Sequence, residues 1–104
     1  DAYEGSLAFH ARYHDLDLNQ HVNSASYLTW LLDCVPPDTR RQSRLHELEV
    51  NYIGEAFLND PVEALINPHT VQPDSDQARY HHCVRKSPDG LELVRARSAW
   101  QVQR

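Results

Sequence analysis

Asp15-Leu16-Asp17-Leu18-Asn19-Gln20-His21-Val22-Asn23, followed by Ser24-Ala25-Ser26-Tyr27-Leu28-Thr29-Trp30-Leu31-Leu32-Asp33-Cys34-Val35, is the stretch on which the fold turns. Its first part is polar and has no apolar period. Its second part repeats Tyr27, Leu28, Leu31, Leu32 and Val35 at spacings of three and four, which predicts a helix over 24–35. Asn23 or Ser24 suits the N-cap, because a short polar side chain accepts from the free amides of a first turn. Pro36 and Pro37 stop the helix, since a proline ring carries no amide hydrogen for the ladder. Tyr27, Trp30 and Leu31 place apolar bulk on more than one side, so the helix should be largely wrapped by a sheet.

Outward from this stretch the period is two. Residues 6–13 put Leu7, Phe9, Ala11 and Tyr13 on one face of a strand. After a polar loop at 38–44, Leu48, Val50 and Tyr52 share a face, then Val62, Ala64 and Ile66, then Ala78, Tyr80, His82 and Val84. The last strand aligns Val94, Ala96, Ser98, Trp100 and Val102, and Ser87-Pro88-Asp89-Gly90 makes the turn before it. Strand, helix and four strands is an α+β arrangement, one helix on a mostly antiparallel sheet. The pattern leaves the strand order open.

The 104 residues suffice for one small domain, and a domain of this size leans on a second copy or a neighbouring domain. A formal net charge of −5 argues against a general nucleic-acid surface. No apolar run reaches membrane-spanning length, and no basic-then-apolar pattern opens the chain. Cys34 and Cys83 lack metal-type spacing and are expected as buried thiols in a reduced, cytoplasmic compartment. The chain starts at Asp1 and holds no methionine, as expected of a processed chain or a piece of a longer one.

Chemistry concentrates in the polar stretch. Asp17, Asn19 and His21 alternate, and an extended segment would point all three into one small volume beside the amides of the helix start. A carboxylate that activates water or attacks, donors for an oxyanion and a proton-carrying imidazole together suit attack on a thioester carbonyl. The same residue types also make turns and caps, and spacing alone does not separate the two readings.

"ARYHDLDLNQHVNSASYLTWLLDCVP" resembles the Asp-x-Asn-x-His-Val-Asn block of acyl-ACP thioesterases, with the Tyr and Trp of the helix that follows. "LHELEVNYIGEAFLNDPVEALI" resembles the strand pair after it, with an aromatic-x-x-Glu element at Tyr52 and Glu55. "YHHCVRKSPDGLELVRARSAWQ" resembles the closing hairpin of that family. The resemblance implies a hotdog fold, an antiparallel sheet wrapped around one long helix, and makes residues 1–104 the second, catalytic unit of a double-hotdog protein. It implies hydrolysis of fatty acyl thioesters, most directly acyl-ACP, with free fatty acid released and no cofactor or metal required. Asp17 falls on the base or nucleophile and Asn19 on the residue that holds the carbonyl or water. His21 falls on the polarising residue and Glu55 on the residue that helps activate water. Plant members carry a cysteine after the glutamate; here it is Ala56, and residues 53–60 match with a one-residue shift.

The rivals are a homodimeric single-domain acyl-CoA thioesterase, a non-catalytic acyl-CoA-binding hotdog domain, and a hotdog dehydratase. Asp17, Asn19 and His21 together count against a mere binder, and the Asn-Gln-His-Val-Asn context favours a thioesterase. The expected partners are an acyl carrier protein or coenzyme A thioester and a second hotdog unit, in the same chain or as a homodimer. His10, His46, His69, His81 and His82 read as ordinary strand and loop histidines, because adjacent His81 and His82 point to opposite faces. Arg40, Arg41 and Arg44 read as a solvated loop, with a docking patch for an acidic carrier or a phosphate as the sharper alternative. Trp30 and Trp100 read as packing residues.

Overall fold

The computed structural model describes residues 3–69 and 76–103. Strand β1 (Gly5–His10) leads through a short 3-10 turn, Tyr13–Asp15, to helix α1 (Ser24–Asp33). Helix α2 (Pro37–Gln42) follows, and then strands β2 (Ser43–Tyr52), β3 (Pro61–Pro68), β4 (Gln77–Lys86) and β5 (Glu92–Val102). The strands form one antiparallel sheet in the order β1-β3-β4-β5-β2, so β1 and β2 are its edges. One helix lies on one face of this sheet, the α+β hotdog arrangement that the resemblance implied.

The alternation that predicted the strands also selects the face under the helix. Val62, Ala64, Ile66, Val84, Val94, Ala96 and Trp100 are all buried, and Tyr27, Trp30 and Leu31 of α1 are buried with them. Trp30 and Trp100 are core residues, as expected. Asn23 is the N-cap, its Oδ1 accepting from the Ser26 amide at 2.9 Å. At Ser87-Pro88-Asp89-Gly90 the Gly90 amide donates to the Lys86 carbonyl at 2.9 Å with Gly90 at φ 73°, a conformation that favours glycine.

Two segments depart from the periodicity. β1 ends at His10 rather than running to residue 13, and Tyr13 is exposed instead of facing the core. The cause is Asp15, whose carboxylate accepts the Arg12 amide at 2.8 Å and bends the chain into the 3-10 turn. The expected loop at 38–44 is mostly helix. α1 ends at Asp33 with Cys34 as its C-cap, two residues short of the predicted 35 and ahead of both prolines, and Pro37 sits at the first position of α2, where a fixed φ and a missing amide hydrogen suit a helix start.

His81 and His82 lie on opposite faces of β4. His82 is 2% exposed on the helix side, its Nε2 2.8 Å from Ser98 Oγ, and Ser98 Oγ also accepts from Trp100 Nε1 at 3.0 Å. Burial, with a smaller contribution from His81, lowers the His82 pKa to about 4. Unfolding would return it toward 6.5. Between those values the unfolded chain binds a proton that the folded chain refuses, so stability falls as pH falls through this window. The loss at the lower end is on the order of 3 kcal/mol. Urea unfolding of wild type and His82→Gln at neutral pH and near pH 4 tests this. The variant should lose less stability on acidification than wild type, and equal losses in the two would contradict the assignment.

Candidate functional site

The polar stretch is a closed loop. An antiparallel bridge pairs Leu16 with Val22, and the Asp17 amide donates to the His21 carbonyl at 2.8 Å. Asp17 Oδ1 then accepts from the amides of Asn19 at 2.8 Å and His21 at 3.2 Å, a side-chain-capped turn of the kind aspartate favours. Gln20 takes positive φ (67°) to complete the turn, leaving Leu18 fully exposed at its tip.

Asp15 anchors the loop at both ends. Its Oδ2 holds the Arg12 amide, its Oδ1 accepts from Ser26 Oγ at 2.7 Å, and its carbonyl accepts the Asn23 amide at 2.8 Å. The carboxylate is buried, and these donors are what make that burial tolerable.

Glu55 arrives from the other side. Gly54 precedes it where a Cβ would stand 3.0 Å from the Glu92 carbonyl, so glycine permits the close passage of the chain over β5. The Ile53 and Gly54 amides both donate to the Leu93 carbonyl, at 2.8 and 3.1 Å. Beyond Glu55, Ala56 accepts the Val22 amide at 3.0 Å, and Phe57 bridges His21. The turn after it is closed by Asp60, whose Oδ2 accepts the Phe57 amide at 2.8 Å and lies 3.4 Å from Lys86 Nζ.

The two segments meet at the imidazole. His21 Nδ1 lies 2.9 Å from Glu55 Oε2, and the Phe57 ring stands edge-on to the His21 ring with centroids 5.2 Å apart. A carboxylate on Nδ1 favours the tautomer with hydrogen there, which leaves Nε2 free to accept a proton. The side chains of His21 and Glu55 remain 38% and 58% exposed, so one side of this pair is open.

His21 and Glu55 are therefore in contact. Asp17 lies across the loop from His21 and is bonded to its backbone, while Asn19 is exposed on the turn. The expectation of one extended segment with three side chains in line is corrected here. Asp17 captures the amides two and four residues ahead, and that closes a turn instead. Residues 17 and 21 become neighbours across the loop rather than along a strand. Two residues that build the site show no local sign of their role in the sequence. Asp15 shows only as one more acid in a polar run. The Tyr27 hydroxyl accepts the buried Ala56 amide at 2.8 Å, although helical period marks Tyr27 merely as core.

Arg40 and Arg41 lie on α2 rather than in a loop. Arg41 pairs with Asp38, and Arg40 lies 3.8 Å from Asp33. His69 and His81 contact edge to face at 4.5 Å between centroids. Among the described residues no three His, Cys, Asp or Glu side chains come together as a metal site.

Residues 2–102 match the family model of the acyl-ACP thioesterase C-terminal domain. A chloroplastic acyl-[acyl-carrier-protein] hydrolase of Cuphea viscosissima is 34% identical over 92 residues, covering 86% of this chain and 21% of the plant protein. The 12:0-ACP thioesterase structure from Umbellularia californica superposes with a TM-score of 0.88 at 22% identity, over 98% of this chain and 37% of that one. A thioesterase from Thermus thermophilus, solved with coenzyme A and Zn, gives 0.86 at 19% identity, over 99% of this chain and 86% of its own. The two structures support the hotdog fold. The chain spans about a fifth of the length of the Cuphea relative.

Ala56, the position at which the resemblance would put a cysteine, is fully buried in the core, its amide bonded to Tyr27. The cysteines this chain does have lie elsewhere. Cys83 is buried as expected, whereas Cys34 is only half-buried; desolvation, reinforced by Asp33, still pushes the Cys34 thiol up to about 11, and burial raises Cys83 as well. Both thiols stay protonated at neutral pH. An aromatic disulfide reagent should therefore titrate both thiols quickly only after denaturant is added. Fast reaction of either in the native protein would contradict this.

Proposed function

The chain belongs to the acyl-ACP thioesterase C-terminal domain family, and from that premise we propose that it is the catalytic hotdog unit of an enzyme that hydrolyses fatty acyl-ACP thioesters. One observation carries the reading. In a chain matching that family over residues 2–102, His21 Nδ1 is seated on Glu55 at 2.9 Å beside a loop that carries Asp17 and Asn19. Glu55 orients the imidazole, and Nε2 is left as the proton acceptor. Asp17 serves as base or nucleophile toward the carbonyl carbon, and the Asn19 amide supplies a donor to the developing oxyanion. With Asp17 as base, water adds to the carbonyl carbon as its proton is taken up through Asp17 and His21 Nε2, the C–S bond breaks, and that proton goes to the departing thiolate. With Asp17 as nucleophile, its attack breaks the C–S bond and leaves an acyl-Asp17 anhydride, which water hydrolyses, the proton lost by water going to the thiolate. Free fatty acid and the carrier thiol result.

The half-open site bears on assembly. Charge stabilisation at a thioester works best with water excluded, yet Glu55 is more exposed than buried, and Leu18 at the loop tip and Ile53, Phe57 and Leu58 beside Glu55 in sequence are exposed apolar side chains. The ten-residue strand β2 forms one sheet edge, which invites pairing. The reading is a second hotdog unit that completes the pocket, in the same chain in the parent protein and by homodimerisation in the isolated segment. The compartment we assign is a reducing one, the cytoplasm, in keeping with the free Cys34 and Cys83; the Cuphea relative is chloroplastic.

Acyl-ACP and acyl-CoA hydrolysis measured side by side on folded variants tests the chemistry. Asp17→Ala and His21→Ala should each lower kcat/KM by about 100- to 10,000-fold, and Asn19→Ala by less than Asp17→Ala, about 100-fold. Near-normal turnover by folded Asp17→Ala would sink the mechanism, and a preference for acyl-CoA would move the substrate assignment. Sedimentation at micromolar concentration should find the isolated chain as a dimer. A monomer with the full activity of its parent would refute the shared pocket.

A further inference from the structure

We propose that Tyr27 is a positioning residue for the His21–Glu55 pair: its hydroxyl holds the Ala56 amide and so fixes where Glu55 presents its carboxylate. This rests on the reading of His21 and Glu55 given above. The Ala56 amide donates to Tyr27 Oη at 2.8 Å, and the Ala56 carbonyl accepts from the Val22 amide at 3.0 Å. Ala56 is thus gripped on both sides, once from the helix and once from the loop. Its chain neighbours are the two residues that touch His21: Glu55 through Nδ1 and Phe57 through its ring. Its grip partner on the other side, Val22, directly follows His21. A shift of the Ala56 amide therefore moves Glu55 relative to His21.

Tyr27 is suited to this task. It is 3% exposed, and its ring is held edge-on against Trp30 at 5.6 Å between centroids, with Tyr52 at 6.2 Å. A hydroxyl carried on so constrained a ring accepts from one fixed point. Burial, together with the nearby carboxylates of Glu55 and Asp60, raises its pKa, which keeps the phenol neutral through the ordinary pH range. Glu55 itself is more exposed than buried, so packing of its own side chain does little to aim it. Its backbone is what the fold controls, and the Tyr27 hydroxyl holds the amide of the peptide bond that joins Glu55 to Ala56.

The test is a double-mutant cycle of Tyr27→Phe and Glu55→Gln in the full protein, with kcat and KM for acyl-ACP as readouts. Tyr27→Phe keeps the ring and its packing. It should lower kcat by roughly threefold to tenfold, the scale of one hydrogen bond, and leave KM unchanged. In the Glu55→Gln background the same substitution should cost nothing further, because it acts only through that carboxylate. If Tyr27→Phe does not fold, 3-fluorotyrosine at the position weakens the acceptor while keeping the hydroxyl, and a smaller kcat loss with the same non-additivity is expected. An impaired Glu55→Gln combined with full kcat in Tyr27→Phe, or with an undiminished Tyr27→Phe loss in the double variant, overturns this inference alone. Wild-type kcat in Glu55→Gln overturns the reading of the site and this inference with it.

Discussion

The buried carboxylate of Asp15 is the contact on which the arrangement depends. It takes the Arg12 amide as the chain leaves β1 and the Ser26 hydroxyl in the first turn of α1, while its own carbonyl takes the Asn23 amide. Three segments are tied to one residue. A carboxylate satisfied by an amide and a hydroxyl tolerates burial that an unpaired one would not. With residues 12 and 23 pinned, the segment between them closes over a short span, and the Leu16–Val22 bridge with the Asp17 turn follows. Catalytic residue types that are common in loops acquire a fixed geometry because the loop is anchored at both ends.

The same anchoring explains how two distant pieces of sequence meet. β5 delivers the Leu93 carbonyl to the Ile53 and Gly54 amides, steering the chain beyond β2 under the loop. Val22 and Tyr27 then hold Ala56 from opposite sides. The result is a His–carboxylate contact built from backbone hydrogen bonds rather than from burial of its own side chains. That construction leaves the pair open on one face, as half of a pocket shared with another unit would be.

The sheet and the core helix are legible in the sequence because both have a period. Val62, Ala64, Ile66 and Val84, Val94, Ala96 alternate in sequence and lie buried on one face in the fold. Strand order has no such signal, since pairing β5 with both β4 and β2 depends on contacts distant in the chain. Periodicity misplaces Tyr13 because alternation continues through it while a side-chain bond from Asp15 turns the backbone. Helix α2 is hidden because Pro37, which reads as a terminator of the helix before, starts the next. At the site, residue types point to Asp17, Asn19 and His21, and the resemblance supplies their roles and adds Glu55. The contact of His21 with Glu55 and the grip of Tyr27 on Ala56 are long-range facts, and no local pattern contains them.

A carboxylate oxygen 2.9 Å from His21 Nδ1 favours hydrogen there with Nε2 bare, and the proposed chemistry stands or falls with that tautomer. Nitrogen-15 NMR of the neutral imidazoles at alkaline pH reads this directly, with His21 assigned by the loss of its signals in His21→Gln. The expected result is a protonated Nδ1, an unprotonated Nε2, and loss of that preference in Glu55→Gln. A His21 ring carrying its hydrogen on Nε2 in the wild-type protein would contradict it.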